Sequence, residues 1–167
     1  RAKTIIKGYF NGKGFGNADV KIDLIEDVSA PNSAIVNISV DKHDKVKVHK
    51  IYIDGNEVMS DNAIQRVMKK TNEKGKLLNL FRQKKFVESD YEDDLVRIID
   101  KYNEKGYRDA KIIADSVVPY DDKTVDVYIS LEEGQKYYIS DISWVGNTVF
   151  ETDRLNWLLG IEPGEVY

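Results

Sequence analysis

Tyr102-Asn103-Glu104-Lys105-Gly106-Tyr107-Arg108-Asp109-Ala110, residues 102–110, has a partner earlier in the chain. Lys101 to Ala110 matches Tyr9-Phe10-Asn11-Gly12-Lys13-Gly14-Phe15-Gly16-Asn17-Ala18 at an offset of 92 (Gly14 to Gly106). Val36-Asn37-Ile38-Ser39-Val40 matches Val127-Tyr128-Ile129-Ser130-Leu131 at an offset of 91 (Val36 to Val127). The same 91 carries Ile51-Tyr52-Ile53-Asp54-Gly55-Asn56-Glu57-Val58 onto Ile142-Ser143-Trp144-Val145-Gly146-Asn147-Thr148-Val149 (Ile51 to Ile142). One spacing shared by three separate stretches marks an internal repeat, in which a supersecondary unit is reused along the chain.

Between the matched stretches, the elements of one unit can be read in order. Val48 to Asp54 is strand-like and is broken by Gly55-Asn56. Ser60 or Asp61 can cap a helix whose apolar face is Ile64, Val67 and Met68. Residues 71–88 form a connector holding Gly75 and the apolar group Leu77, Leu78, Leu80 and Phe81. Ser89-Asp90-Tyr91-Glu92 has capping-box spacing. The helix it opens carries Leu95, Ile98, Ile99 and Tyr102 at i, i+3, i+4 and i+7. Gly106 supplies the left-handed residue that ends that helix. Ala110 to Val118 is a second strand and Pro119 to Lys123 a turn. Thr124 to Leu131 is a third strand, with Val125, Val127, Ile129 and Leu131 inward and Thr124, Asp126, Tyr128 and Ser130 outward.

The unit is therefore β-α-α-β-β, an α+β fold in which two helices cover one face of a small sheet. A whole unit spans 48–135. The back half of another (α-β-β) spans 1–47, and the front half of a third (β-α) spans 136–167. Val46-Lys47-Val48 and Lys136-Tyr137-Tyr138 pass from unit to unit without a Pro/Gly linker, which implies a semi-rigid string. The residues from Arg1 to Phe10 read as the inside of an element, so the chain is expected to be part of a longer one.

These residues carry a family resemblance. The strand ending in Gly55-Asn56, and again in Gly146-Asn147, resembles the opening of a POTRA (polypeptide-transport-associated) repeat. Tyr102 to Ala110 resembles that repeat's helix end and entry into its second strand. Glu132-Glu133-Gly134-Gln135-Lys136-Tyr137 resembles its exit. POTRA repeats precede the membrane barrel of outer-membrane protein assembly factors of the BamA type, on the periplasmic face of the Gram-negative outer membrane. The resemblance implies a mixed three-stranded sheet and no catalysis. It implies no cofactor or metal. The implied partners are unfolded outer-membrane proteins, accessory assembly lipoproteins, and the membrane through a C-terminal barrel that these 167 residues lack. If the third strand is central, as in that family, the second strand is an open edge able to accept an extended client as an added strand. The candidate edge is Asp109, Ala110, Lys111, Ile112, Ile113, Ala114, Asp115, Ser116, Val117 and Val118, with a repeat counterpart over Asn17 to Ile25. Lys111 and Asp115 could equally protect that edge.

Composition narrows the other readings. Hydrophobic residues make up 41% and charged residues 32%, which fits a folded chain. The net charge of -4 disfavours non-specific contact with nucleic acid or anionic lipid. An RNA-binding α+β module is the rival reading; it would use exposed aromatics such as Tyr120 and Tyr128. With no cysteine there is no disulfide framework and no thiolate metal site. No apolar run reaches the roughly 20 residues of a membrane span.

His43 and His49, beside Asp41 and Asp44, fit a solvated surface better than a metal site. Gly12-Lys13-Gly14-Phe15-Gly16 closes a helix and opens a strand, the wrong order for a phosphate loop. Glu88, Asp90, Glu92, Asp93 and Asp94 suit a solvated, dipole-matched helix start. Arg66, Lys69, Lys70, Lys74, Lys76, Arg82, Lys84 and Lys85 suit a solvated basic stretch over a headgroup or partner contact. The two half-units each expose apolar residues, with Ile22, Leu24, Ile35, Val36 and Ile38 at the front and Ile142, Trp144, Leu155, Trp157, Leu158 and Leu159 at the back. Domain-swapped self-association is therefore expected.

Overall fold

The alternating apolar residues at 127, 129 and 131 need a covered sheet face, and they have one. The computed structural model describes residues 1–73 and 85–167. Along them run α1 (Ala2–Gly12), β1 (Asp19–Glu26), β2 (Ala34–Asp41), β3 (Lys47–Asp54), α2 (Asp61–Val67), α3 (Glu88–Glu104), β4 (Lys111–Asp121), β5 (Thr124–Glu132) and α4 (Thr152–Leu159). β5 lies at the centre of a three-stranded sheet in the order β3-β5-β4, parallel to β3 and antiparallel to β4. β1 and β2 form a separate antiparallel pair. The expected α+β architecture, a mixed sheet with two helices on one face, is what forms. Leu77, Leu78, Leu80 and Phe81, together with Lys74, Lys76, Arg82 and Lys84, fall outside the described residues.

Val127, Ile129 and Leu131 of β5 and Ile51 of β3 are buried against Ile64 and Met68 near α2 and against Tyr91, Ile98 and Tyr102 of α3. Each such aliphatic side chain contributes about 1.5–3 kcal/mol relative to exposure. Leu95 and Ile99 pack at the margin of this core. Tyr102 also donates its hydroxyl to Glu133 Oε1 at 2.7 Å, and the Glu133 carboxylate accepts the Val58 amide at 2.9 Å. That carboxylate ties the end of α3 to the loop after β3. Burial, then the Glu133 bond, pushes the Tyr102 phenol well above its ordinary range.

Several local expectations are corrected. Ser60 does cap α2, its hydroxyl accepting from the Ala63 amide at 3.4 Å. The capping box at Ser89–Glu92 does not form. α3 starts earlier, with Val87 at the cap position and no side-chain cap bond. Val87 is buried, so apolar anchoring sets the helix start, and Glu88 and Asp90 supply the negative charge that the free N–H groups favour. β4 runs through Pro119 to Asp121, so the turn shrinks to residues 122–123. A proline is tolerated there because β4 is an edge strand. Thr124 and Asp126, expected outward, are buried. Asp126 is covered by His49, whose Nδ1 lies 2.8 Å from Asp126 Oδ1.

The acidic run at the start of α3 is more than a solvated cap. Asp94 is fully buried and accepts from the Lys70 amide at 2.9 Å, the Thr71 amide at 2.6 Å and Arg97 Nη1 at 2.7 Å. Asp90 and Asp93 both take Lys70 Nζ, at 3.0 and 2.8 Å. The basic residue Lys70, expected to be solvated, is one half of this staple. Ile142–Val145, matched in sequence to β3, is not a strand. A strand exists through its ladder partner, and among the described residues none is paired to it. Among the described residues, the bridge in this part of the chain joins Tyr138 and Val166.

The repeat recurs at the level of single hydrogen bonds. Lys105 N donates to Tyr102 O, Gly106 N to Asn103 O, and Tyr107 N to Tyr102 O; Lys13, Gly14 and Phe15 make the same bonds to Phe10 O, Asn11 O and Phe10 O. The ring pairs Tyr102–Tyr107 and Phe10–Phe15 stand edge-on at 6.2 and 6.3 Å. Gly14 and Gly106 both have left-handed φ, +86° and +90°. Each then accepts the next unit's backbone: Val46 N donates to Gly14 O at 3.0 Å and Tyr137 N to Gly106 O at 2.8 Å.

Gly106→Val forces a branched side chain into left-handed backbone and onto the Val166 side chain. We expect a loss of at least about 1 kcal/mol, visible as a lower melting temperature; an unchanged melt would contradict the helix-end assignment. Asp94→Ala strands the Lys70 and Thr71 amides beside Arg97 and is expected to cost about 3 kcal/mol, read from the urea midpoint.

Candidate peptide-docking edge

With β5 central, β3 and β4 are the two edges, and they differ. Residues of the α2–α3 crossover return along β3. Lys85 bridges Lys47, Glu73 bridges Val48, the Phe86 amide donates to Val46 O at 2.8 Å, and Glu73 Oε1 accepts the Ile51 amide at 2.9 Å. β4 has no strand on its outer side among the described residues.

Of the ten residues expected at this edge, Lys111 to Val118 lie on β4 and are half-buried or exposed. Asp109 and Ala110 do not belong to the strand. The Ala110 amide donates to Tyr107 O at 3.3 Å, closing the corner after α3, and its side chain is buried in the core. Asp109 Oδ2 accepts the Tyr137 hydroxyl at 2.6 Å, a bond that holds the Tyr137 phenol above its ordinary range. The register shifts between Ile112 and Ala114, leaving Ile113 bulged and exposed, and again between Pro119 and Asp121. An unbroken run therefore extends from Ala114 to Pro119. Lys111 pairs with Glu132 at 3.1 Å. Bulges, a lysine and a proline are the devices that keep an edge from pairing indiscriminately. In the sequence counterpart, Asp19 to Ile25 lie on β1, while Asn17 and Ala18 precede it.

The sheet face opposite the helices adds a second feature. Tyr52 and Tyr128 stack at 4.8 Å with planes 8° apart, and Lys50 Nζ sits 4.6 Å from the Tyr52 ring centre. His49 stacks on Tyr120 at 3.8 Å. On β4 the neighbours of Tyr128 and Ser130 are the small residues Ser116 and Ala114. This leaves a groove of about 290 Å³ beside the open edge, floored by Tyr52, Tyr128, Ala114 and Ser116. The sequence marked Tyr128 and Tyr120 as exposed aromatics, and both are exposed; the pairing of Tyr128 with Tyr52 was missed. Its signal was there, because Tyr52 and Tyr128 fall at matching outward positions of two adjacent strands. His49 gave no signal: the register shift between Val48 and Lys50 turns it to this face.

The other candidate chemistries separate in space. His43 lies 3.6 Å from both Asp19 and Asp41, while His49 is held by Asp126. Lys13, between Gly12 and Gly14, is the cap that ends α1.

A mixed sheet backed by two helices, with one guarded but open edge among the described residues and a corner repeated along the chain, defines a modular α+β repeat. A family profile described as POTRA, surface antigen variable number repeat, matches residues 46–134, more than half of the chain, and the chain belongs to that family. It is similar to the outer membrane protein assembly factor BamA of Neisseria meningitidis serogroup B, with 29% identity over 92% of this chain and 19% of that protein. It is similar to BamA of Buchnera aphidicola, with 27% identity over 97% of this chain and 26% of that one. A putative outer membrane protein assembly factor of Treponema pallidum is 23% identical over 90% of this chain and 18% of its own length. The chain thus spans about a fifth to a quarter of these relatives. In fold it matches the crystal structure of Haemophilus influenzae BamA POTRA3-5, with a TM-score of 0.52, 20% identity, and coverage of 98% of this chain and 61% of that one. No described helix is long and apolar enough to cross a membrane.

Proposed function

We propose that this chain is part of the periplasmic POTRA arm of an outer-membrane protein assembly factor, and that β4 receives an extended segment of an unfolded outer-membrane client as an added strand. The observation that carries this reading is the unbroken run Ala114 to Pro119 on the outer side of the sheet, flanked by the tyrosine-lined groove. Backbone pairing ignores sequence, which suits a receptor for many clients. The repeat relation divides the arm into a whole unit over 48–135 with back and front portions over 1–47 and 136–167. In this role the arm performs no catalysis. It also contacts accessory assembly lipoproteins and continues into a membrane barrel. The stacked tyrosines would also suit nucleic-acid bases. Asp54 and Asp126 on the same face oppose a phosphate backbone, so single-stranded RNA serves as the negative control.

In an edge strand, alternate amides point to the neighbour and to solvent. Proline placed singly at Ala114, Asp115, Ser116 and Val117 should therefore act in alternation. One alternate pair breaks the β4–β5 ladder and unfolds the unit. The other leaves it folded but lowers capture of an unfolded outer-membrane barrel protein, measured by photo-crosslinking, at least about tenfold. If every folded variant captures the client like the parent, β4 is not the docking edge.

A further inference from the structure

The face of the three-stranded sheet opposite the helices carries a row of side chains that is one ring short. Tyr52 of β3, Tyr128 of β5 and Ser116 of β4 stand side by side in register. The Tyr52 and Tyr128 rings stack at 4.8 Å, close to the spacing of neighbouring strands. Lys50 Nζ lies over the Tyr52 ring at 4.6 Å, so Tyr52 already holds an aromatic and a cationic partner. Among the described residues, Tyr52 is the one ring stacked on Tyr128, which stays 42% exposed.

The gap beside Tyr128 is local. Ser116 is too short to cover the ring next to it. Ala114 and Val118, two residues to either side on the same face of β4, pair with Ser130 and Asp126. Tyr120, further along β4, is taken by its stack on His49. The Asp126 carboxylate is taken by His49 Nδ1. Asp54 borders the groove from β3, the strand farthest from β4. The position over Ser116 therefore offers a ring face, the Ala114 methyl and a hydroxyl.

A strand added outside β4 places its own side chains in the same rows. The residue opposite Ser116 starts about 10 Å from Tyr128, two strand spacings away. A ring on that residue reaches across Ser116 and covers Tyr128, and offset aromatic pairs are favoured beyond the area they bury. Threonine falls short of Tyr128, and a branched aliphatic chain covers area without stacking. The residues one step before and after point to the helix side, where Asp115 and Val117 lie and where a polar or basic side chain is suited. Strands of membrane barrels alternate apolar and polar residues in this way and carry aromatic girdles.

We infer that the β4 edge selects an aromatic side chain of the docked segment, seated over Ser116 as the third ring of the Tyr52–Tyr128 stack. The inference rests on client docking at β4 and adds the chemistry that the groove reads. Backbone pairing accepts any extended segment; the ring decides which segment is held longest and in which register. Tyr128 and Ser116 are then the specificity-determining residues, one for its ring and the other for its small size.

The test uses short peptides of alternating threonine and lysine whose central threonine is kept or replaced by phenylalanine, tryptophan, leucine or arginine. In NMR titrations, shifts of the amides of residues 114–119 report docking, and upfield ring-current shifts at the Ala114 methyl and the Ser116 β-protons report the seat of the ring. All the peptides should move the amides. The phenylalanine and tryptophan peptides should bind at least about tenfold more tightly than the threonine peptide, and more tightly than the leucine one. Tyr128→Thr should bring the ratio of aromatic to threonine affinity below about twofold. The peptide series on the parent decides the matter even where that variant unfolds. Equal affinity for every central residue overturns the inference and leaves client docking standing. An aromatic preference that survives Tyr128→Thr does the same, as does an arginine peptide that binds more tightly than the aromatic ones. Peptides that leave the amides of residues 114–119 unmoved overturn both readings.

Discussion

Gly106 in left-handed backbone carries two tasks in one peptide unit. Its conformation ends α3, so that the amides of Lys105, Gly106 and Tyr107 fold back on the helix. The same turn aims its carbonyl at the Tyr137 amide and starts the next stretch of chain. A Cβ would collide with Val166 and crowd the Tyr137 carbonyl, so the residue type is dictated by space as well as by φ. Gly14 repeats both tasks with Val46 and Lys85. The bonds that fix the joint are backbone to backbone, so the neighbouring side chains are free to differ, as Val46 does from Tyr137 and Lys85 from Val166. Side chains then finish each joint in its own way: Asn17 and Lys123 at the first, Arg108 and Tyr137 at the second.

This joint also decides which edge of the sheet is left over. A strand parallel to β5 requires a long crossover. Here the crossover returns along β3, where residues 73, 85 and 86 bond to its start. The contacts that seat one unit on the next therefore occupy part of the β3 edge. β4 joins β5 through a two-residue turn, and no strand returns along its outer side among the described residues. On the proposed reading, rigid stacking of units and client docking use opposite sides of the same small sheet and do not compete.

Much of this was legible in the residues, for reasons specific to each. The offsets near 91 could be read because the corner needs glycine, an aromatic before it and an aromatic after it, a pattern that survives drift elsewhere. The β5 alternation could be read because one face of that strand is dry. Asp94 was misassigned with its acidic neighbours, although its spacing from Tyr91, Ile98 and Tyr102 placed a carboxylate on the apolar stripe. That placement was the available clue to a buried acceptor. The lost capping box at Ser89, the extension of β4 through Pro119 and the side taken by His49 depend on Val87 burial, edge position and a register shift. None of these is written in local sequence. Ile142–Val145 shows the limit most clearly: its residues match β3, yet a strand is a property of a pair.

The edge itself limits how tightly a client could be held on the proposed reading. The bulge at Ile113 and the shift after Pro119 confine regular pairing to about 20 Å of strand. Each backbone bond formed there contributes roughly 0.5–1.5 kcal/mol net. Ordering an unfolded segment offsets several kcal/mol of that gain. Backbone pairing alone is then weak and quickly reversed, and any selectivity must come from alternate side chains. Those pointing away from the helices would enter the groove between Tyr128 and the small residues Ala114 and Ser116, where apolar area can be covered. Those pointing the other way would meet Asp115 and Val117. A short, guarded edge with one receptive face suits an arm that must take up many unfolded chains and release each of them.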